Sequence, residues 1–168
     1  EDPSKYLGGN LPVESVSWYD AIRFCNKLSE KCGLTHAYTI NDGLVVYNED
    51  SDGYRLPTVD EWEFAARGGI EIGGFEYSGS DDINEVAWYK DNSGGITHVV
   101  KSKKPNALGL YDMTGNVSEW TNSSSGSYRV KCGGSWNHFA YNCSVSQHSD
   151  DDPSMPYPTA GFRVARSI

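Results

Sequence analysis

Two regimes of hydrophobic patterning divide this chain. Up to Gly69 the apolar residues recur at helical spacing, and beyond it they come in short runs broken by Gly, Ser, Asn and Asp. In the first regime Trp18, Ile22, Cys25 and Leu28 fall on one helical face. Ser17-Trp18-Tyr19-Asp20 sets a Ser-x-x-Asp cap at its start, and Gly33 ends the run as a C-terminal cap would. Cys25 and Cys32 lie two turns apart on this helix, too distant for a bridge while both stay helical. A second helix follows Pro57 and Thr58, because Thr58-x-x-Glu61 is a capping box that satisfies two backbone donors at a helix start. Trp62, Ala65 and Ala66 supply its buried face, and Gly68-Gly69 terminates it.

The second regime predicts strands and turns. One short run comes before Gly69: Leu44-Val45-Val46-Tyr47 predicts a short hairpin within the loop-rich stretch 34–55. Later candidates are Val86-Ala87-Trp88-Tyr89, Val99-Val100, Gly109-Leu110-Tyr111-Asp112 and Tyr128-Arg129-Val130. Near the end, Cys132-Gly133-Gly134-Ser135-Trp136 and Gly161-Phe162-Arg163-Val164-Ala165-Arg166 read as a frame of strand, with paired glycines suited to a bulge or a close backbone approach. Two early helices followed by many short strands and long loops predict an α+β fold. Inside the frame, residues 137–160 show almost no pattern. Three consecutive aspartates and Pro153, Pro156 and Pro158 cannot propagate a helix or a central strand. A long irregular segment held between ordered elements points to function, here recognition.

Composition narrows the classes. The 168 residues make one domain's worth, long enough to bury a core. A net charge of −9 argues against nucleic acid or an anionic membrane as partner. The longest apolar run falls far short of the about 20 residues of a membrane span, so no membrane insertion by this chain is expected. Four cysteines permit two bridges, yet none stands at C-x-x-C spacing. No Ser/His/Asp set or close carboxylate pair offers a reaction.

Several segments taken in order resemble the formylglycine-generating enzyme (sulfatase-modifying factor) family, whose fold is a variant of the C-type lectin fold. They are Pro12-Val13-x-x-Val16-Ser17-Trp18-Tyr19-Asp20-Ala21, then Tyr54-Arg55-Leu56-Pro57-Thr58-x-x-Glu61-Trp62-Glu63-Phe64-Ala65-Ala66-Arg67-Gly68-Gly69, then Pro105-Asn106-x-x-Gly109-Leu110-Tyr111-Asp112-Met113-Thr114-Gly115-Asn116-Val117-x-Glu119-Trp120, and the frame itself. The resemblance implies a single domain over 1–168 that lacks the N-terminal portion, with its strands, that family members carry ahead of the Pro12 segment. Within the family the chain looks most like the variable proteins that diversity-generating retroelements of Treponema rewrite. That likeness implies a ligand-binding protein displayed on the outer face of a bacterial cell, with a lipid anchor as one possible attachment. Residues 137–160 would be its variable segment, with His138, Phe139, Ser144, Gln147, His148, Asp150, Asp151, Asp152, Ser154, Met155, Tyr157 and Thr159 meeting an unidentified protein or other surface ligand, and Tyr141-Asn142-Cys143 fixed.

The same resemblance sets the cofactor expectations. Catalytic relatives hold copper between two cysteines, and here His138 takes the first place and Cys143 the second. One thiolate and an imidazole make a different site from the soft pair copper(I) prefers, so neither copper nor catalytic residues are expected. Cys143 reads as a small buried hydrophobe, with a bridge to Cys132 as the other option. Asp112, Gly115, Val117 and Glu119 match the positions through which the family holds calcium, which would be structural. The alternative has Asp112 capping a turn and Glu119 paired with an arginine such as Arg163. A copper-dependent oxidase, or its inactive relic, is the competing function, and a calcium-dependent sugar-binding lectin ranks third. Phe139, Met155 and Tyr157 are either packed under the segment or presented to a partner, presentation being the favoured reading, and the aspartate run reads as a solvated surface.

Overall fold

In the computed structural model, residues 2–41, 43–70 and 74–167 are described. Both capping boxes form as their sequences dictate. Helix α1 (Trp18–Lys31) opens with Ser17 accepting from the Asp20 amide while the Asp20 carboxylate takes the Ser17 amide. Helix α2 (Val59–Ala66) opens with the same exchange between Thr58 and Glu61. The hairpin is β1 (Tyr38–Asn41) with β2 (Leu44–Tyr47), and β3 (Tyr54–Arg55) pairs antiparallel with β8 (Ala165–Arg166).

The main sheet has four strands in the order β6-β5-β4-β7. These are β4 (Ser118–Ser125), β5 (Tyr128–Cys132), β6 (His148–Asp151) and β7 (Ala160–Phe162). Its two faces serve two cores. Trp120 faces Trp18, Ile22 and Cys25 of α1, together with Tyr38 and Leu56. Val130 and Cys132 face Trp62 and Ala66 of α2, with Met113 and Val145. A third cluster gathers Tyr77, Ile83, Val86, Ala87 and Tyr89 around Cys143.

Several sequence expectations are corrected. Val86–Tyr89 is not a strand: Ile83–Val86 forms a single helical turn, α3, and Trp88 makes one isolated bridge to Gly115. Val99-Val100 and Gly109–Asp112 are loop and turn. Among the strands that patterning missed is β4, whose sequence Ser-Glu-Trp-Thr-Asn-Ser-Ser-Ser carries no apolar alternation. It holds a central place because its buried polar groups are partnered. Glu119 accepts from Trp62 and Arg163, and the Thr121 hydroxyl donates to the Val130 carbonyl. Nor is 137–160 wholly irregular. It contains a 3-10 turn, Ala140–Cys143, and the edge strand β6, whose serine and aspartates suit a strand with one side unpaired. All four cysteines are free thiols, so Cys132 and Cys143 are not bridged.

Candidate functional site

Segment 137–160 hangs on the scaffold chiefly by its backbone. The Trp18 amide, at the start of α1 where helix donors lack internal partners, donates to the Pro153 carbonyl at 3.1 Å. Ser15 N reaches the Tyr157 carbonyl at 3.0 Å, and Trp136 Nε1 reaches that of Pro158 at 3.0 Å. Ser118 gives both its amide and its hydroxyl to the Thr159 carbonyl, at 2.8 and 2.9 Å. Lys90 N holds the His138 carbonyl at 3.0 Å. Each of these bonds uses an acceptor that every residue type possesses, so the attachments place no demand on the side chains they suspend.

Those side chains divide by exposure. Phe139, Gln147, His148, Asp150, Asp152, Ser154 and Met155 are exposed, whereas His138, Asp151, Tyr157 and Thr159 are half-buried. Ser144 departs from the expected set: it is buried beside Cys143 and presents nothing to solvent. Asp152 builds its own turn, its Oδ1 accepting from the Ser154 amide at 2.9 Å and hydroxyl at 2.7 Å. Burial and the neighbouring Lys131 charge lower the His138 pKa, which favours a neutral imidazole, and its Nδ1 lies 3.1 Å from Ser135 Oγ. Lys131, His138, Asn142, Gln147 and His148 are among the residues that line a small cleft of about 50 Å³.

Two residues that lie beside the expected set were not singled out from the sequence. Tyr141, expected to belong to the fixed residues, is the most exposed aromatic of the segment at 65%. It lies nearly parallel to Phe139, with ring centroids 6.2 Å apart, and the Lys90 ammonium sits 3.9 Å from the Phe139 centroid. A tyrosine next to the cleft residues was the available signal for Tyr141. Nothing in the sequence pointed to Lys90.

The positions matched to family cofactors are also placed. Cys143 is fully buried, and burial pushes its thiol up to about 12, far from the thiolate that copper chemistry requires. Asp112, Val117 and Glu119 line a cavity of about 540 Å³, with Gly115 not among its walls. Arg163 grips Glu119 side-on, Nε to Oε2 and Nη2 to Oε1 at 2.8 Å each, while Trp62 Nε1 donates to Oε2 at 2.7 Å. Asp112 Oδ2 accepts from Lys101 N at 2.8 Å, and burial raises the Asp112 pKa. Calcium's chemistry is partly met: both carboxylates are hard donors, but Glu119 Oε2 already accepts twice, so Oε1 is the Glu119 oxygen that keeps a lone pair. No group of three or more His, Cys, Asp and Glu able to hold an ion occurs among the described residues, so backbone carbonyls would have to complete the shell.

A capped two-helix, short-strand fold with this framed segment defines a class, and the chain belongs to it: the sulfatase-modifying factor enzyme 1-like domain matches residues 2–168. Among solved structures it is similar to Treponema denticola variable protein 1, with a TM-score of 0.89 and 36% identity over 99% of this chain and 77% of that one. The chaperone protein LppX of Paenibacillus barcinonensis is 37% identical over 99% of this chain and 74% of its own length. An inactive C-alpha-formylglycine-generating enzyme 2 of Mus musculus is 30% identical over 94% of this chain, which spans 49% of that protein. The family thus holds a relative named inactive beside proteins named formylglycine-generating enzymes. No helix among the described residues is long and apolar enough to cross a membrane.

Proposed function

We propose that this chain is a non-catalytic binding module whose 137–160 face recognises a protein or other exposed ligand. The reading places it on the outer face of a bacterial cell and has a retroelement rewrite that face from copy to copy. One observation carries the proposal: the segment's carbonyls at 138, 153, 157, 158 and 159 anchor it, which leaves exposed side chains free to differ at little expense to the fold. Likeness to a variable protein supports it. Nucleic acid is not a partner in this reading, given the charge of −9. Calcium, where bound, is structural and held by Asp112, Glu119 and the Val117 carbonyl, with Gly115, outside the cavity wall, not needed as a ligand.

The competing reading, a copper-dependent oxidase, asks for a thiolate at Cys143, which burial opposes. Purified protein incubated with copper(I) and thiols measures this directly. Oxygen consumption abolished by Cys143→Ala would defeat the binding-module proposal. The positive test is a triple variant, Gln147→Ala, Asp150→Ala and Met155→Ala, compared with the parent for melting temperature and for capture from an array of cell-surface proteins and glycans. The expected result is lost capture with an unmoved melting temperature.

A further inference from the structure

Beyond the buried Cys143 and Val145, the segment has a further attachment through side chains. Lys131, on the inner strand β5, is 4% exposed, which is rare for a lysine unless its charge is paired. Because β5 alternates, Lys131 points away from Val130 and Cys132, toward the Trp120 core. Its ammonium sits 4.5 Å from the Tyr157 ring centroid and 5.1 Å from that of Trp120, and it forms an ion pair with Asp151 of β6. Tyr157 in turn packs on Trp120 with centroids 6.2 Å apart, while its backbone bridges to Val16. Burial and the Asp151 carboxylate together raise the Tyr157 hydroxyl's pKa. Three side chains from β5, β6 and the following loop therefore meet at one buried charge.

We propose that Lys131 is the positioning residue of the recognition face: it pins β6 and the 152–157 turn to the sheet through Asp151 and Tyr157. The inference rests on the binding reading above and deepens it by dividing the segment's residues. Asp151 and Tyr157, grouped by sequence with the ligand-contacting residues, are anchors. A buried ammonium that loses its carboxylate is left uncompensated, so copies of the segment can vary at 148, 150, 152, 154 and 155 more freely than at 151 or 157. Among the segment's attachments, this lock depends on side-chain identity where the carbonyl bonds do not. The ring faces suit the ammonium because an aromatic quadrupole attracts a desolvated cation.

Amide hydrogen exchange on the whole chain tests this without any ligand, so its failure and that of the binding reading are separable. In Lys131→Met, amides of residues 148–157 are expected to exchange about ten-fold faster while those of α2 and the β1–β2 hairpin keep their rates, and Lys131→Arg restores much of the protection. Asp151→Asn removes the opposite charge and is expected to reproduce the local acceleration, which keeps the test open should Lys131→Met fail to fold. Unchanged exchange at 148–157, or equal acceleration across the whole chain, overturns the assignment. Capture lost in Asp151→Asn with local protection intact would make Asp151 a ligand contact and likewise overturn its assignment as an anchor.

Discussion

Gly134 lies in direct contact with Cys143, so close that any side-chain carbon at 134 would collide with the cysteine sulfur and backbone. Gly134 also holds a φ of +67°, a conformation that L residues adopt only at a cost. The frame's paired glycines thus let the 3-10 turn carrying Tyr141 and Asn142 lie flush on the scaffold. Gly134→Ala is expected to destabilise by about 2–5 kcal/mol, from the left-handed backbone plus overpacking. Gly126, whose φ is +60° but whose surroundings are open, is the comparison. Gly126→Ala carries the backbone term alone, about 1–2 kcal/mol. Equal losses in urea unfolding would remove the contact from the account.

Reactivity of the thiols follows from burial. Cys25, Cys132 and Cys143 are each pushed up to about 12 by desolvation, while Cys32 is exposed. At pH 8 a thiol of that kind is thiolate about one part in ten thousand, and reagent must also wait for the fold to open. A native titration with a thiol reagent is expected to count one fast cysteine, rising to four in denaturant. A second fast thiol would reopen the oxidase reading.

How much was legible in the sequence depends on where stability is stored. Helices α1 and α2 could be read because their caps are local chemistry, three residues apart. Trp62 and Trp120 announced themselves as core by size. Strand β4 could not be read: Glu119 and Thr121 are buried by partners 57, 44 and 9 positions away, and no period records such pairings. Segment 137–160 stood out by its lack of pattern and its prolines. Its internal division was hidden, since Asp151 and Tyr157 look no different from Asp152 and Met155 until Lys131 is placed beneath them.

That division changes an expectation about substitutions. Treated as surface residues, Asp152 and Tyr157 would each tolerate alanine within about 1 kcal/mol. Asp152→Ala is still expected to stay there, since it removes only an exposed turn contact with Ser154. Tyr157→Ala is expected to cost about 2–3 kcal/mol, because it strips Trp120 and the buried Lys131 of a packing partner. Trp62→Ala and Trp120→Ala are expected to cost about 3–5 kcal/mol each. In Trp62→Ala, Glu119 also loses a buried donor. Thermal melts of the four variants rank them, and Tyr157→Ala as mild as Asp152→Ala would contradict its role as an anchor.

Asp112 gives a pH dependence whose sign differs from that of a paired carboxylate such as Glu61. Burial raises the Asp112 pKa in the folded state, so the folded chain favours the protonated form. Its contribution to stability is fully present below the unfolded value near about 4 and is lost as pH rises through the raised folded value. Glu61, lowered by its hydrogen bonds from Arg55, behaves oppositely: its contribution is present at neutral pH and lost as pH falls through the depressed value. Asp112→Asn should therefore melt higher than the parent at pH 7 in chelator, with the gap closing toward pH 4. Asparagine keeps an acceptor for Lys101 N and tolerates the positive φ of 55° at this position. Calcium then inverts the comparison. An ion held between Asp112 and Glu119 removes the penalty on the ionised carboxylate, so millimolar calcium is expected to raise the parent's melting temperature and leave Asp112→Asn where it was. A parent indifferent to both calcium and chelator would mean that the Glu119–Arg163 ion pair alone holds this cavity.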